Sequence, residues 1–340
     1  MKTIITFLCI LCIFSCTTDD PIQEPIANVF DGDVELVTQQ AVEDFGAMEY
    51  TEITGNLLLS TQFENPDPIT SLSSLSTLEV IGGDLFLNYI HEVTSLDGLQ
   101  NLTSVTGALK LLVNSNITSL DAFSSINSTV TSLEINSFRE IESLQGLEGI
   151  SIASGGSLII EGNDKLLNLD TIQNGIPSIM DVIKFEELLP QCSAFLDCST
   201  IPPEVQPFTS LAFLSNVTEV EWLRIKGFQG TSLAGIENIT TINRLSLWFN
   251  PNITTIQELS NVTNDLFAVF ISDNNQLETL DGLENISSIT SGVSIIGNLS
   301  LNDFCALQNN ISNIAVDDFI LFLNAFDPTQ QDIIDGNCSE

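Results

Sequence analysis

The residue types that could carry chemistry are few. His91 is the only histidine of 340 residues, and a hydrolytic triad needs an imidazole base oriented by a carboxylate. It sits in Asn88-Tyr89-Ile90-His91 just after an apolar alternation, and the expectation is an ordinary loop residue. The 45 carboxylates guarantee some close pairs, as glycoside hydrolysis would require. None stands in an apolar run that would raise its pKa. Apart from Cys9, Cys12 and Cys16 near the start, the chain has four cysteines: Cys192, Cys198, Cys305 and Cys338. With one histidine and no CxxC, disulfides outrank a metal site, and four thiols allow three pairings. A Cys192–Cys198 pair would close a small loop and a Cys305–Cys338 pair would staple the C-terminal end. No cofactor motif is present. The remaining chemistry is recognition: Trp222 and Trp248 lie close in sequence to Arg224, Lys226 and Arg244 in a chain with only eight basic residues.

What positions those side chains is a repeat. A five-residue phrase reads SLSSL at Ser71, SLDGL at Ser95, SLDAF at Ser119 and SLQGL at Ser143, at steps of 24 residues. It continues as NLDTI at Asn168, SLAGI at Ser232, TIQEL at Thr255 and TLDGL at Thr279. About ten residues before each phrase is an alternating apolar pair, such as Leu85/Leu87, Leu109/Leu111, Leu223/Ile225 or Leu245/Leu247. Period-two alternation marks a strand with one buried face. A unit this short cannot bury its own apolar side, so successive units must stack. The expected fold is mainly β: a right-handed single-stranded β-helix or leucine-rich-repeat solenoid of about ten coils of about 24 residues, with a cap at each end. Between Ile183 and Leu223 the step is 40 residues. The surplus, near 187–207, contains Pro190, Pro202, Pro203 and the close cysteine pair, and reads as a loop extruded from one coil.

Stacking in register turns the spacing into a surface. Trp222, Arg224 and Lys226 point outward if Leu223 and Ile225 point inward. Twenty-two residues on, Arg244, Ser246 and Trp248 fall opposite them. Trp222 then lies beside Arg244, and Lys226 beside Trp248. Lys184 joins from the preceding coil and Phe270 from the following one. Indoles next to cations form cation–π pairs of about 0.5–2 kcal/mol. Such pairs can merely support the sheet, but exposed Trp and Arg are also typical interface anchors. These seven residues are the candidate ligand-binding set.

The net charge of −37 excludes nucleic acid as a partner, because phosphate binding needs clustered Lys and Arg. Eleven Asn-x-Ser/Thr sequons occur, many at equivalent positions. Asn101, Asn216, Asn238, Asn261 and Asn285 each precede the apolar residue that opens the next turn. They are read as a ladder bonding the turn backbone and one another, in preference to glycan acceptors. Ala122, Thr171 and Glu258 replace the phrase glycine, which suggests that this position needs no left-handed backbone. At the N-terminal end Asp33–Leu36 reads as a first strand. A short helix follows, capped by Thr38 and running through Phe45, with Gly46 as terminator.

The start of the chain is read as an export signal. Met1-Lys2 precedes an apolar run from Ile4 to Phe14, too short to span a bilayer. Ile13-Phe14-Ser15-Cys16 resembles a bacterial lipobox. That resemblance implies removal of residues 1–15 and lipid on Cys16, which would hold the chain in a membrane. Thr17-Thr18-Asp19-Asp20 resembles the acidic tag that sends some Gram-negative lipoproteins to the outer face of the outer membrane. The expected organisation is a signal peptide at 1–15, an acidic tether at 16–28, an N-terminal cap at 29–52, a solenoid at 53–300 and a disulfide-stapled cap at 301–340.

The phrase S-L-x-G-[LI]-x-N-[LI]-T, at Ser95–Thr103 and Ser232–Thr240, resembles receptor L-domain repeats, which also occur in bacterial surface lipoproteins. The ending Asn324-Ala325-Phe326-Asp327-Pro328-Thr329 through Cys338-Ser339 is similar to that of such lipoproteins. The resemblance implies a β-helix and a recognition or adhesion role, with a protein or glycan ligand on the outward sheet face. The alternatives are a structural envelope component without soluble ligand and a polysaccharide-active enzyme.

Overall fold

The computed structural model describes residues 28–340 except 63, 164, 167, 168 and 187–208. The expected leader, Cys16, the expected tether as far as residue 27, and the expected Cys192–Cys198 loop lie outside the described residues. Strand follows strand in one direction. The first coils each contribute two short strands: β1 (Val29–Phe30) and β2 (Val34–Leu36), β3 (Glu52–Ile53) and β4 (Leu57–Ser60), β5 (Val80–Ile81) and β6 (Leu85–Asn88), β7 (Ser104–Val105) and β8 (Leu109–Leu112). Later coils fuse the two into one long strand: β9 (Thr129–Asn136), β10 (Ser151–Glu161), β11 (Ile179–Glu186), β12 (Glu219–Lys226), β13 (Thr241–Trp248), β14 (Asp265–Ser272) and β15 (Ser288–Ile296). A terminal β16 covers Phe319–Phe322. β2, β4, β6 and β8–β16 form a twelve-stranded sheet in chain order, and β1, β3, β5 and β7 a four-stranded one. Every strand pairing is parallel. The chain is therefore mainly β, with the stacked parallel architecture that the repeat predicts.

Register explains the core. Leu85 pairs with Leu109, Leu109 with Leu133, Ile183 with Leu223 and Leu223 with Leu245. Each aliphatic residue stacks on its counterpart one coil away, and all of these are fully buried. Burying one such side chain contributes about 1.5–3 kcal/mol. The phrase supplies a second set of columns, with Leu72, Leu96, Leu120 and Leu144 buried in turn. β11 and β12 pair directly although 40 residues separate Ile183 from Leu223, so the insertion leaves the ladder intact.

Three local expectations are corrected. Gly98, Gly146, Gly235 and Gly282 do adopt left-handed backbone, with φ of 112°, 99°, 115° and 115°. A Cβ on any of them would collide with the backbone of the preceding coil. Coils lacking the glycine turn differently: 3₁₀ turns occupy Ser73–Leu75, Asp121–Phe123, Asp170–Gly175 and Gln257–Asn261. Substitution of the glycine thus marks a change of turn, not indifference to backbone conformation. At the N-terminal end, helix α1 (Gln39–Gly46) is capped by Thr38 Oγ1, which accepts from Ala41 N at 3.0 Å. Gly46 is its last residue rather than a terminator beyond it, and is needed because α1 there touches Ser74.

The third correction concerns asparagine. Asn101, Asn238, Asn261 and Asn285 each donate to a backbone carbonyl one coil back, at 2.7–2.8 Å, but not to one another. The ladder in which asparagines bond one another runs elsewhere, through buried Asn250, Asn274 and Asn298 to Asn324. It follows the residue that leaves each strand with positive φ, as at Val113 (51°), Phe249 (51°) and Asp273 (58°). Asn114 and Asn163 fill the same role in earlier coils, accepting from Ile90 N and Phe138 N.

The C-terminal end is closed by helix α2 (Gln330–Ile334) and by a Cys305–Cys338 disulfide with Cα atoms 4.9 Å apart. No helix among the described residues is long and apolar enough to cross a membrane.

Candidate functional site

The outward residues of the large sheet change character along its length. Ladder by ladder, the positions beside and between the buried pair carry Glu134 on β9, Glu161 on β10 and Glu186 on β11. From β12 to β15 the same positions are Trp222, Arg224, Lys226; Arg244, Ser246, Trp248; Ala268, Phe270, Ser272; and Gly292, Ser294, Ile296. None of these twelve is a carboxylate, in a chain with 45.

Strand register sets Trp222 against Arg244, Arg224 against Ser246, and Lys226 against Trp248. Lys184 is the neighbour of Arg224 on one side, and Phe270 that of Ser246 on the other. All seven candidate residues therefore occupy four adjacent strands. The Arg224 guanidinium lies 4.5 Å from the centre of the Trp248 ring and 5.6 Å from that of Trp222. Arg244 lies 6.0 Å from Trp222 and 4.9 Å from Phe267, whose ring is 44% exposed. Trp222 Nε1 donates to Ser246 Oγ at 3.1 Å. Ser246, although on the outward side, is only 1% exposed. The two indoles and the guanidinium roof it over, which a larger residue on the central strand would prevent.

The cations are partly neutralised by carboxylates on β10 and β11. Lys184 Nζ lies 2.7 Å from Glu161 and 3.4 Å from Glu186. The Glu186 carboxylate, almost fully buried, also meets Arg224 Nε as an ion pair rather than as a well-aligned hydrogen bond. Removing one member of such a group would leave a buried charge unpaired, which is costly. Lys184 and Arg224 thus anchor the sheet surface as well as lining it. Trp248 Nε1 is shielded from solvent and has no acceptor among the described residues. An orphaned buried donor is rare enough to need a reason.

The other candidate chemistries do not assemble. His91 Nε2 lies 3.5 Å from Glu92, and its Nδ1 lies 3.4 Å from the Tyr89 carbonyl oxygen, in an exposed turn. No cluster of metal-ligating residues occurs among the described residues. An acidic cleft of about 410 Å³, lined in part by Asp121, Glu140, Glu142 and Lys165, went unnoticed in the sequence. Glu140 and Glu142 come from one coil and Asp121 from the coil before it. Lys165 closes on Glu140 at 2.5 Å, and that hydrogen bond holds the lysine pKa above its usual value.

Residues 51–176 match the family model of the receptor L domain. The match runs from β3 through β10 and stops short of all seven candidate residues. No curated protein matches the chain.

Proposed function

We propose that this chain is a recognition protein, held at the outer surface of a Gram-negative outer membrane by lipid on Cys16, and not an enzyme. Its ligand, a protein or a glycan, docks on the outward sheet face of β12–β15. The observation that carries the reading is the block of twelve outward positions on β12–β15 without a carboxylate, holding both tryptophans of a strongly acidic chain. Surface charge elsewhere would repel an anionic partner, so a neutral-to-basic aromatic face is where contact costs least. Aromatic and Arg residues at the centre of a patch are the usual anchors of an interface. The receptor L-domain match over residues 51–176 supports a ligand-binding role.

Replacement must spare Arg224 and Lys184, whose loss would orphan Glu186. Trp248→Ala and Phe270→Ala remove rings from the middle of the face without breaking that pairing. The test is an array of polysaccharides together with a pull-down from the growth medium, comparing wild type with the double variant. Loss of a bound component by a variant that keeps its circular dichroism spectrum is expected. Equal binding by a folded variant would remove the site. Absence of any soluble ligand, with an envelope defect on deletion, would favour a structural component instead. Mass spectrometry of the mature N-terminus checks the lipid.

A further inference from the structure

Arg244 lacks the partner that this chain could most easily give it. The chain has 45 carboxylates and eight basic residues, and Lys110, Lys165, Lys184 and Arg224 each form an ion pair. Arg244 forms neither an ion pair nor a hydrogen bond among the described residues. Its guanidinium lies beside two rings instead, 6.0 Å from the centre of Trp222 and 4.9 Å from that of Phe267. Arg244 Nε is shielded from solvent without an acceptor, while its two terminal nitrogens, equally unbonded, stay open to solvent. Glu221, one residue before Trp222, accepts from Asn243 Nδ2 rather than from Arg244. Phe267 is itself exposed, so a bare guanidinium edge and a bare ring sit together on β13 and β14.

We infer that Arg244 and Phe267 are where a partner protein sets down one Asp or Glu carboxylate beside an apolar side chain. The inference rests on the reading of the β12–β15 face as the docking surface and gives its ligand a chemistry. A guanidinium pairs with a carboxylate through two parallel N–H donors. Held against rings, this one loses little freedom when it pairs, and it is more weakly hydrated than an ammonium. Shielding of Nε marks a site of lowered dielectric, which strengthens the attraction. The exposed Phe267 ring takes the apolar residue that a peptide places next to its acid.

Charge and cover select a protein over the other carriers of a carboxylate. One unpaired cation matches one carboxylate, not a polyanion. Glu219 and Glu221 stand exposed near the start of β12, and Asp265 at the start of β14. They repel further negative charge and attract a cation. Phosphorylated chains and polyuronates, whose charges recur, are therefore disfavoured, whereas a peptide with a single acid and a nearby Lys or Arg suits the surface. Neutral sugars are disfavoured by cover. A sugar ring stacks on a bare aromatic face, but guanidinia lie 4.5 Å from Trp248 and 5.6 Å and 6.0 Å from Trp222. A protein segment is the occupant that all of these observations allow.

Both tryptophans of the chain lie on this face, so tryptophan emission from the full chain in detergent reports on it alone. The probe is an acetylated, amidated pentapeptide with a central glutamate, leucine on each side and lysine at each end; its control carries glutamine at the centre. One ion pair and one apolar contact support about millimolar affinity, so each peptide is titrated to about 10 mM. Wild type is expected to bind the glutamate peptide about tenfold more tightly than its control. Arg244→Gln should erase that preference, Arg244→Lys should keep part of it through charge alone, and Phe267→Ser should weaken both peptides alike. Loss of Arg244 leaves no carboxylate unpaired, and an unchanged circular dichroism spectrum shows that the fold survives. Equal binding of the two peptides by wild type, no binding of either, or a preference that survives Arg244→Gln overturns the inference. So does a galacturonate trimer bound more tightly than the glutamate peptide, which would make the ligand an acidic glycan. Failure of the wider reading looks different. A component captured from the growth medium that is lost with Trp248→Ala and Phe270→Ala but kept with Arg244→Gln leaves the face and removes the carboxylate.

Discussion

Replacing Asn274 by alanine tests whether the internal asparagine ladder holds the coils together. Asn274 is 1% exposed. Its Nδ2 donates to the Leu247 carbonyl at 2.9 Å and to the Ser272 carbonyl at 3.1 Å. Its Oδ1 accepts from Asn250 N at 3.1 Å and Asn250 Nδ2 at 3.0 Å. Alanine removes all of these and leaves one buried backbone group, the Asn250 N–H, without a partner, since the Leu247 carbonyl stays in the β13–β14 ladder. Such an orphan costs about 1–3 kcal/mol, which sets the expected loss, with the lower end reached if water enters. Asn285→Ala is the control. Its side chain makes one exposed bond, to Ser260 O at 2.8 Å, and its loss should cost no more than about 1 kcal/mol. The assay is urea unfolding followed by circular dichroism, with the slope m checked for constancy between variants. A double-mutant cycle with Asn298→Ala should give a coupling of about 0.5–3 kcal/mol, because the two side chains touch. A cost for Asn274→Ala no larger than that of Asn285→Ala would refute the argument. The strands would then be held by aliphatic columns alone.

Val113→Gly should stabilise the chain by about 0.5–1 kcal/mol. Val113 holds φ at 51° and is already 41% exposed, so relief of strain exceeds the burial lost; a lower midpoint would contradict this. Serine at both Cys305 and Cys338 opens a loop of sequence separation 33 and should cost about 3.5–4 kcal/mol, read as a fall in melting temperature that reductant reproduces in wild type. The Asp332 carboxyl is held below its usual pKa by hydrogen bonds from Thr329, side chain first and then backbone. Its contribution to α2 is therefore present above the ordinary carboxylate range and lost as pH falls through the depressed value. Asp332→Asn should flatten the acid limb of stability measured by hydrogen exchange in α2. Asp273 has the opposite sign, because burial raises its pKa. Its contribution is fully present only at low pH and is lost as pH rises, so Asp273→Asn should raise the neutral-pH midpoint, and an unchanged midpoint would discount the desolvation.

Most of the architecture was legible along the chain because a repeated unit must bury the same positions in every coil. Leu223 over Leu245, and hence Trp222 beside Arg244, followed from a 22-residue step and period-two alternation. The Cys305–Cys338 pairing was one of three that counting allowed, and the fold selected it by bringing the two Cα atoms together. What counting could not supply was anything set by contact between coils. The phrase glycines looked dispensable because the sequence does not show that a Cβ there would strike the neighbouring backbone. The wrong asparagines were assigned to the mutually bonded ladder for a related reason. Sequons advertise Asn101 and Asn285, whereas Asn114 and Asn250 gain their partners only once a left-handed residue turns them inward. The Glu186–Arg224 ion pair, and the β16 edge with no partner strand among the described residues, likewise exist only in three dimensions. Alternation says which side of a strand faces in, but burial of a charge and exposure of an edge depend on which neighbours the stack provides.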